Sequence, residues 1–136
     1  MQIHSCTDEQ FNVVKQYLLE YELDNRTLIR EEFVVAIIQN SVVGFGRVRE
    51  FQDFSELCSL GVIINERRKG IGKKIFMAMI KKASKKPFLA CIIPEFFYPF
   101  GFEITHDYPY EMFEKLHYCT DSLPVDEKYV IMTFKE

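Results

Sequence analysis

One stretch, Glu56 to Lys74, narrows the folds open to this chain more than any other. It reads ELCSLGVIINERRKGIGKK. Leu60 to Ile64 is an unbroken apolar run of the kind that forms a buried strand. Asn65 and Glu66 interrupt it. Five cations then surround two glycines, in the order Arg67, Arg68, Lys69, Gly70, Ile71, Gly72, Lys73, Lys74. From Ile71 the apolar residues recur at helical spacing, with Ile71, Ile75 and Met79 in line and Phe76, Ile80 and Ala83 beside them. Lys85-Lys86-Pro87 ends that helix, and Phe88 to Ile93 reads as a second buried strand. Strand, basic glycine turn, helix and strand make a βαβ crossover, which requires parallel pairing.

The charges in this turn work against the helix that follows. A helix N-terminus carries a partial positive charge and favours Asp or Glu in its first turn. Here cations cluster at that point, and a bound anion would turn the repulsion into attraction. The free N–H groups, the dipole and the basic side chains would then converge on it. Gly70 and Gly72 permit close backbone approach because neither carries a Cβ. The pattern predicts a phosphate or pyrophosphate cradle; a solvated basic patch beside a helix-terminal glycine is the alternative. A nucleoside-triphosphate loop needs Ser or Thr after Gly-Lys and a glycine five residues earlier. Lys74 and Arg67 occupy those positions. A dinucleotide fingerprint needs a third glycine where Ile75 stands.

The rest of the chain supplies a mixed sheet. Ile3 begins a short strand, and Thr7 with Gln10 forms a capping-box pattern. Phe11, Val14, Leu18 and Tyr21 follow on one face of a helix over residues 8–21. Asp24 to Glu32 reads as a charged loop with a short helix at Thr27 to Arg30. Phe33 to Ile38 and Val42 to Val48 are β-rich and joined by Gln39-Asn40-Ser41, an antiparallel hairpin. Gly44 and Gly46 share one face of its second strand, opposite Phe45, Arg47 and Arg49. They leave room for a ligand or another backbone, or mark close packing. After the aromatic block PEFFYPFGF (Pro94 to Phe102), Ile104 is expected to begin a strand, Tyr110 to Leu116 a short helix, and Tyr129 to Phe134 the closing strand. The fold expected is an α/β mixed sheet in a single domain, 1–136. Its N-terminal strands are antiparallel, its centre is a parallel βαβ unit, and helices cover both faces.

Composition excludes several functions. The net charge of −3 opposes a general nucleic-acid binder despite the local basic cluster. It favours a cationic or amine partner. The four cysteines are scattered, with no CxxC pair, and so are the three histidines; no metal site is expected. Free thiols, and the absence of a signal peptide or an apolar run long enough to span a bilayer, place the chain in the cytoplasm with no membrane partner.

Arg67-x-x-Gly70-x-Gly72, preceded by ELCSLGV, resembles the acyl-CoA pyrophosphate loop and fourth strand of the GNAT N-acetyltransferase family. The resemblance implies acetyl-CoA as cofactor. It places the pantetheine arm beside the fourth strand, against backbone groups of Val62, Ile63 and Ile64. The pyrophosphate falls on Arg67, Arg68, Lys69, Gly70, Ile71, Gly72 and Lys73. Ile64 stands where many members carry proline. PEFFYPFGF is similar to the family's FYxxxGF segment, whose general-acid tyrosine falls at Phe97 here; Tyr98, one residue on, is the remaining acid candidate and Phe97 a cofactor wall. Phenylalanine at that position, PEFF, ELCSLGV, and the tail EMFEKLHYC through PVDEKYVIM together resemble the acetyltransferase domain of bacterial N-acetylglutamate synthases.

The implied reaction is acetyl transfer to a primary amine of a small molecule or amino acid. Glu56, at the start of the fourth strand, is the candidate base; a solvated charge or a partner for Arg47 or Arg49 is the alternative. Arg47 and Arg49 are candidates for binding a substrate carboxylate bidentately, or else a solvated sheet edge. Cys58 and Cys91 read as small core residues. Two other functions keep the same cofactor site: a non-catalytic acyl-CoA-binding regulatory domain, which Phe97 favours, and a protein or peptide N-acetyltransferase. The aromatic segment 96–118 is a candidate face for substrate or for a second copy in a homodimer.

Overall fold

The N-terminal strand β1 (Gln2–Ser5) enters helix α1 (Asp8–Glu20) through a reciprocal cap. The Gln10 N–H donates to Thr7 Oγ1 at 3.2 Å, and the Thr7 N–H donates to the Gln10 side chain at 3.0 Å. Such a cap contributes about 1 kcal/mol to the helix it starts. Strands β2 (Phe33–Ile38) and β3 (Ser41–Glu50) form the hairpin. Gln39 (φ 50°) and Asn40 (φ 65°) are both left-handed, the pair of conformations that matches strand twist in a two-residue hairpin loop. The computed structural model describes residues 1–123 and 127–135; Pro124 to Asp126, which open the PVDEKYVIM segment of the tail, and Glu136 lie outside the described residues.

The chain falls into two compact units, Met1–Arg49 with Leu57–Ala83, and Glu50–Glu56 with Ser84 onward. In the first, α1 and α2 (Ile71–Lys82) lie on opposite faces of the sheet. Val14 and Leu18 of α1 pack on Phe33, Val35, Ile37 and Phe45. On the other face the glycines of β3 admit α2. A Cβ on Gly44 would come within 2.5 Å of Ile75 Cδ1, and one on Gly46 would strike Met79 Sδ. These glycines serve helix-to-sheet packing rather than a ligand.

Strand β4 (Ser55–Val62) contributes its first two residues to the second unit. There it pairs in parallel with β5 (Pro87–Cys91), Ser55 opposite Pro87 and Glu56 opposite Phe88. Beyond β5 come α3 (Pro94–Phe97), β6 (Phe102–Ile104), α4 (Tyr110–Ser122) and β7 (Val130–Phe134). Strand β7 pairs antiparallel with both β5 and β6. The seven strands order as β1-β2-β3-β4-β5-β7-β6, a mixed sheet whose parallel pair is β4–β5. Met112 of α4 packs on Phe54, Phe88 and Ile131.

Several boundaries differ from the sequence expectation. Strand β4 stops at Val62, and Ile64 opens a 3-10 turn with 65% of its surface exposed. Ile104 ends β6 rather than beginning it, because the left-handed Gly101 (φ 87°) starts the strand at Phe102. The short helix of the charged loop is a 3-10 turn at Arg30–Glu32, displaced by the left-handed Thr27 (φ 48°). Helix α4 runs six residues past Leu116. Its buried stripe is Met112, Lys115 and Cys119, and a lysine in the middle hides the apolar period.

Candidate active site

The turn from β4 to α2 has the backbone of an anion site. Arg68 (φ 67°) and Gly70 (φ 81°) are both left-handed, a geometry that curls successive N–H groups toward one point. No side chain caps α2, and Lys74 is the first residue to bond back, to the Gly70 carbonyl at 3.3 Å. The N–H groups of Ile71, Gly72 and Lys73 therefore have no partner within the helix. No acidic residue stands in the helix's first turn. Lys69 is ion-paired to Glu66 at 2.9 Å, whereas among the described residues Arg68 and Lys73 have no ion pair. All four basic residues, Arg67, Arg68, Lys69 and Lys73, are exposed. A doubly charged phosphate group fits these requirements.

The strand that feeds the turn presents an outward edge. The Ile63 N–H bonds the Val43 carbonyl of β3 at 2.9 Å. Successive backbone groups of an extended chain alternate sides, so those of Val62 and Ile64 point away from β3. Arg67 does not reach toward the helix N-terminus: its Nε donates to the Val62 carbonyl at 2.8 Å, and its guanidinium lies 5.1 Å from the Tyr21 ring centre. The Ile64 N–H donates to the Tyr21 hydroxyl at 3.2 Å.

The other candidate residues fall in different settings. Glu56 is 1% exposed, and its Oε2 lies 2.9 Å from Lys115 Nζ, itself 5% exposed. Lys115, a lysine of α4, is thus an ionic partner of Glu56 that the sequence did not offer. Arg47 is fully buried, neither a solvated edge nor open to a substrate carboxylate. Its Nε donates to Glu32 at 2.9 Å, and its other nitrogens donate to Glu32 and to the carbonyls of Arg26 and Thr27. It is the anchor of the α1–β2 loop. Arg49 is half-buried. Phe97 is 7% exposed and meets Phe96 edge-on at 4.9 Å, while Tyr98, one residue later, is 48% exposed. All four cysteines are free and buried; burial pushes the Cys91 thiol up to about 11, and that of Cys6 likewise to about 11. Among the described residues no group of three His, Cys, Asp or Glu is disposed to hold a metal, and no helix is long and apolar enough to cross a membrane.

The model of the acetyltransferase (GNAT) family matches residues 2–102, about three quarters of the sequence. The chain belongs to the GNAT acetyltransferase family. No curated protein matches this acetyltransferase in sequence. Solved structures share its fold. The Mycobacterium tuberculosis protein Rv2747, in complex with CoA, matches with a TM-score of 0.80 at 18% identity, over 100% of this chain and 99% of that one. The N-acetylglutamate synthase of Neisseria gonorrhoeae, complexed with coenzyme A and N-acetyl-glutamate, matches at 0.75 and 17% identity, over 98% of this chain and 34% of that one. The GNAT chain thus spans about a third of the synthase. Escherichia coli ElaA matches at 0.71 and 12% identity, over 98% and 99%.

Three residues of this GNAT chain make contacts that carry no signal in the sequence. Tyr21 caps the C-terminus of α1 and reads as one more apolar position of that helix. Lys115 is a charge within a helical stripe. Ser59, inside β4, is left-handed (φ 54°), the mark of a bulge, and its hydroxyl donates to the Asp24 carbonyl at 2.9 Å.

Proposed function

We propose that this acetyltransferase uses acetyl-CoA to acetylate the primary amine of a small molecule or amino acid, the whole chain acting as one domain. The observation that carries the proposal is the β4–α2 turn. It combines an uncapped helix N-terminus, two left-handed residues and two cations, Arg68 and Lys73, that have no ion pair among the described residues. Acetyl-CoA supplies an activated thioester and, at its other end, phosphates of the charge this turn requires. Arg68, Lys69 and Lys73 with the backbone of Gly70 to Gly72 hold the pyrophosphate. Val62 to Ile64 line the pantetheine arm, and Phe97 provides an apolar wall. Glu56 takes the ammonium proton, directly or through water, and Lys115, 2.9 Å away, holds its carboxylate in place. The Tyr98 hydroxyl returns a proton to the departing thiolate. Arg49, half-buried on β3, remains the candidate for an acceptor carboxylate; Arg47 is committed to the loop.

The amino-acid acceptor is supported by the net charge of −3 and by the gonococcal synthase, solved with N-acetyl-glutamate in one complex and with L-arginine in another. A second function, acyl-CoA binding without turnover, is favoured by the apolar side chain at position 97 and by the closed Glu56–Lys115 pair. Calorimetric titration with CoA and with pantetheine, followed by mass spectrometry of an amine and amino-acid pool incubated with acetyl-CoA, separates them. Transfer predicts acetylated products and a wide preference for CoA over pantetheine. The preference without products indicates the sensor. No preference removes the cofactor assignment.

A further inference from the structure

The outward edge of β4 is already occupied by the chain's own side chains. Beyond Gly61 the strand offers two backbone groups on the side away from β3, the carbonyl of Val62 and the N–H of Ile64. Arg67 Nε takes the first at 2.8 Å and the Tyr21 hydroxyl takes the second at 3.2 Å. The two side chains brace each other, the guanidinium of Arg67 lying over the Tyr21 ring. Tyr21 is braced in turn from the core. Its ring stacks on Tyr17 at 5.6 Å, and Tyr17 stacks on the fully buried Phe45 at 6.2 Å. This column starts in the α1 core and ends on the first residue of the basic turn. It holds Tyr21 in place at little further cost in side-chain entropy, since its neighbours are already fixed.

We propose that Tyr21 is an edge-guarding residue: with Arg67 it holds the β4 edge and yields Val62 and Ile64 to the amides of the incoming acyl donor. The proposal rests on the acyl-CoA assignment above. An extended arm bearing amide groups adds to a strand edge by main-chain hydrogen bonds. Here each new bond replaces one that a side chain already makes, so the edge is never left with bare polar groups. The exchange also frees Arg67. Its guanidinium, one residue from Arg68, then joins the cations that face the phosphates. Occupation of the edge and neutralisation of the turn become one event, with Arg67 shared between them.

The test is CoA and pantetheine titration of wild type, Tyr21→Phe and Arg67→Lys, with the Ile64 amide followed by NMR. Tyr21→Phe keeps the ring beneath Arg67 and removes the competing hydroxyl. It is expected to bind both ligands about fivefold more tightly, the size of one net hydrogen bond. Its ligand-free Ile64 resonance should move from the wild-type position, and the two CoA-bound spectra should coincide at Ile64. Arg67→Lys keeps the charge but loses the Nε bond to Val62, and should bind pantetheine, which has no pyrophosphate, more tightly than wild type. Unchanged or weaker CoA binding by Tyr21→Phe, bound spectra that still differ at Ile64, or weaker pantetheine binding by Arg67→Lys would each overturn the exchange while leaving the cofactor assignment standing. A wild type that binds neither ligand removes both.

Discussion

The two ends of β4 treat charge in opposite ways. At its start, Glu56 is buried, and the protein supplies the counter-ion from its own α4, with Lys115 at 2.9 Å. Past its end, Arg68 and Lys73 stand exposed at a helix N-terminus that repels them. One end has its counter-ion within the chain; at the other, among the described residues, Arg68 and Lys73 have no ion pair. A buried charge that has its partner speaks first for structure, because an unpaired one would not survive burial. An exposed charge held in an unfavourable field speaks for a ligand.

The most forceful way to break this contrast is to remove the partner at the completed end. Lys115→Met strands a buried carboxylate and should cost about 3–5 kcal/mol in urea denaturation. Adding Glu56→Leu to that variant should recover most of the loss, since a well-packed apolar pair is about as stable as a buried ionic one. A loss below about 1 kcal/mol for the single variant would mean that Lys115 reaches solvent and the pair is not closed.

Thiol chemistry in the same completed unit comes next. With burial raising Cys91 to about 11 from its ordinary value near 9, its thiolate fraction at neutral pH is about a hundredfold smaller than that of an exposed thiol. Alkylation of Cys91 should be slow in native protein and accelerate on unfolding. Rapid native labelling of Cys91, mapped by peptide mass, would contradict its burial.

At the open end the expected losses are in affinity rather than stability. Gly72→Val blocks backbone approach and should weaken CoA by about ten- to a hundredfold, one charge-assisted hydrogen bond or slightly more. Pantetheine affinity should stay nearly as it was. Arg68→Ala, at an exposed position, should cost about fivefold, and less as salt is added. If Gly72→Val leaves the ratio of CoA to pantetheine affinity intact, the turn is a solvated patch and the contrast collapses.

The smallest effect belongs to Glu50. Burial works against its charge, yet the Ser55 hydroxyl, the Ser84 N–H and Lys85 together hold its carboxyl below the usual range. That contribution is present above the unfolded carboxylate's value, about 4.3, and is lost as pH falls through the lowered folded one. Glu50→Gln should lower Tm by about 1–3 °C at pH 7, and the difference should vanish in acid.

How legible the molecule was in its sequence depends on the distance over which each feature is decided. The capping box at Thr7, the left-handed pair Gln39-Asn40, the period of α2 and the glycine turn all declare themselves within a few residues. Backbone conformation over such a span answers to steric preference, dipoles and side-chain periodicity, which are written in adjacent positions. The same local rules fixed the end of β4 too late, at Ile64, because an apolar run does not reveal where pairing stops. They shortened α4, because a core lysine looks like a solvent residue until its partner is known.

What only the tertiary structure decided are the pairings between distant positions: Glu56 with Lys115, Arg47 with Glu32 and the loop carbonyls, Ser59 with Asp24, and Tyr21 with Ile64 and Arg67. A charged or hydroxyl side chain has the same local pattern whether water or a buried partner satisfies it. Which of the two applies depends on what the rest of the chain packs around it. The sequence alone could identify a turn that wants an anion; the folded chain showed that the strand edge beside that turn is held by a tyrosine from a helix more than forty residues away.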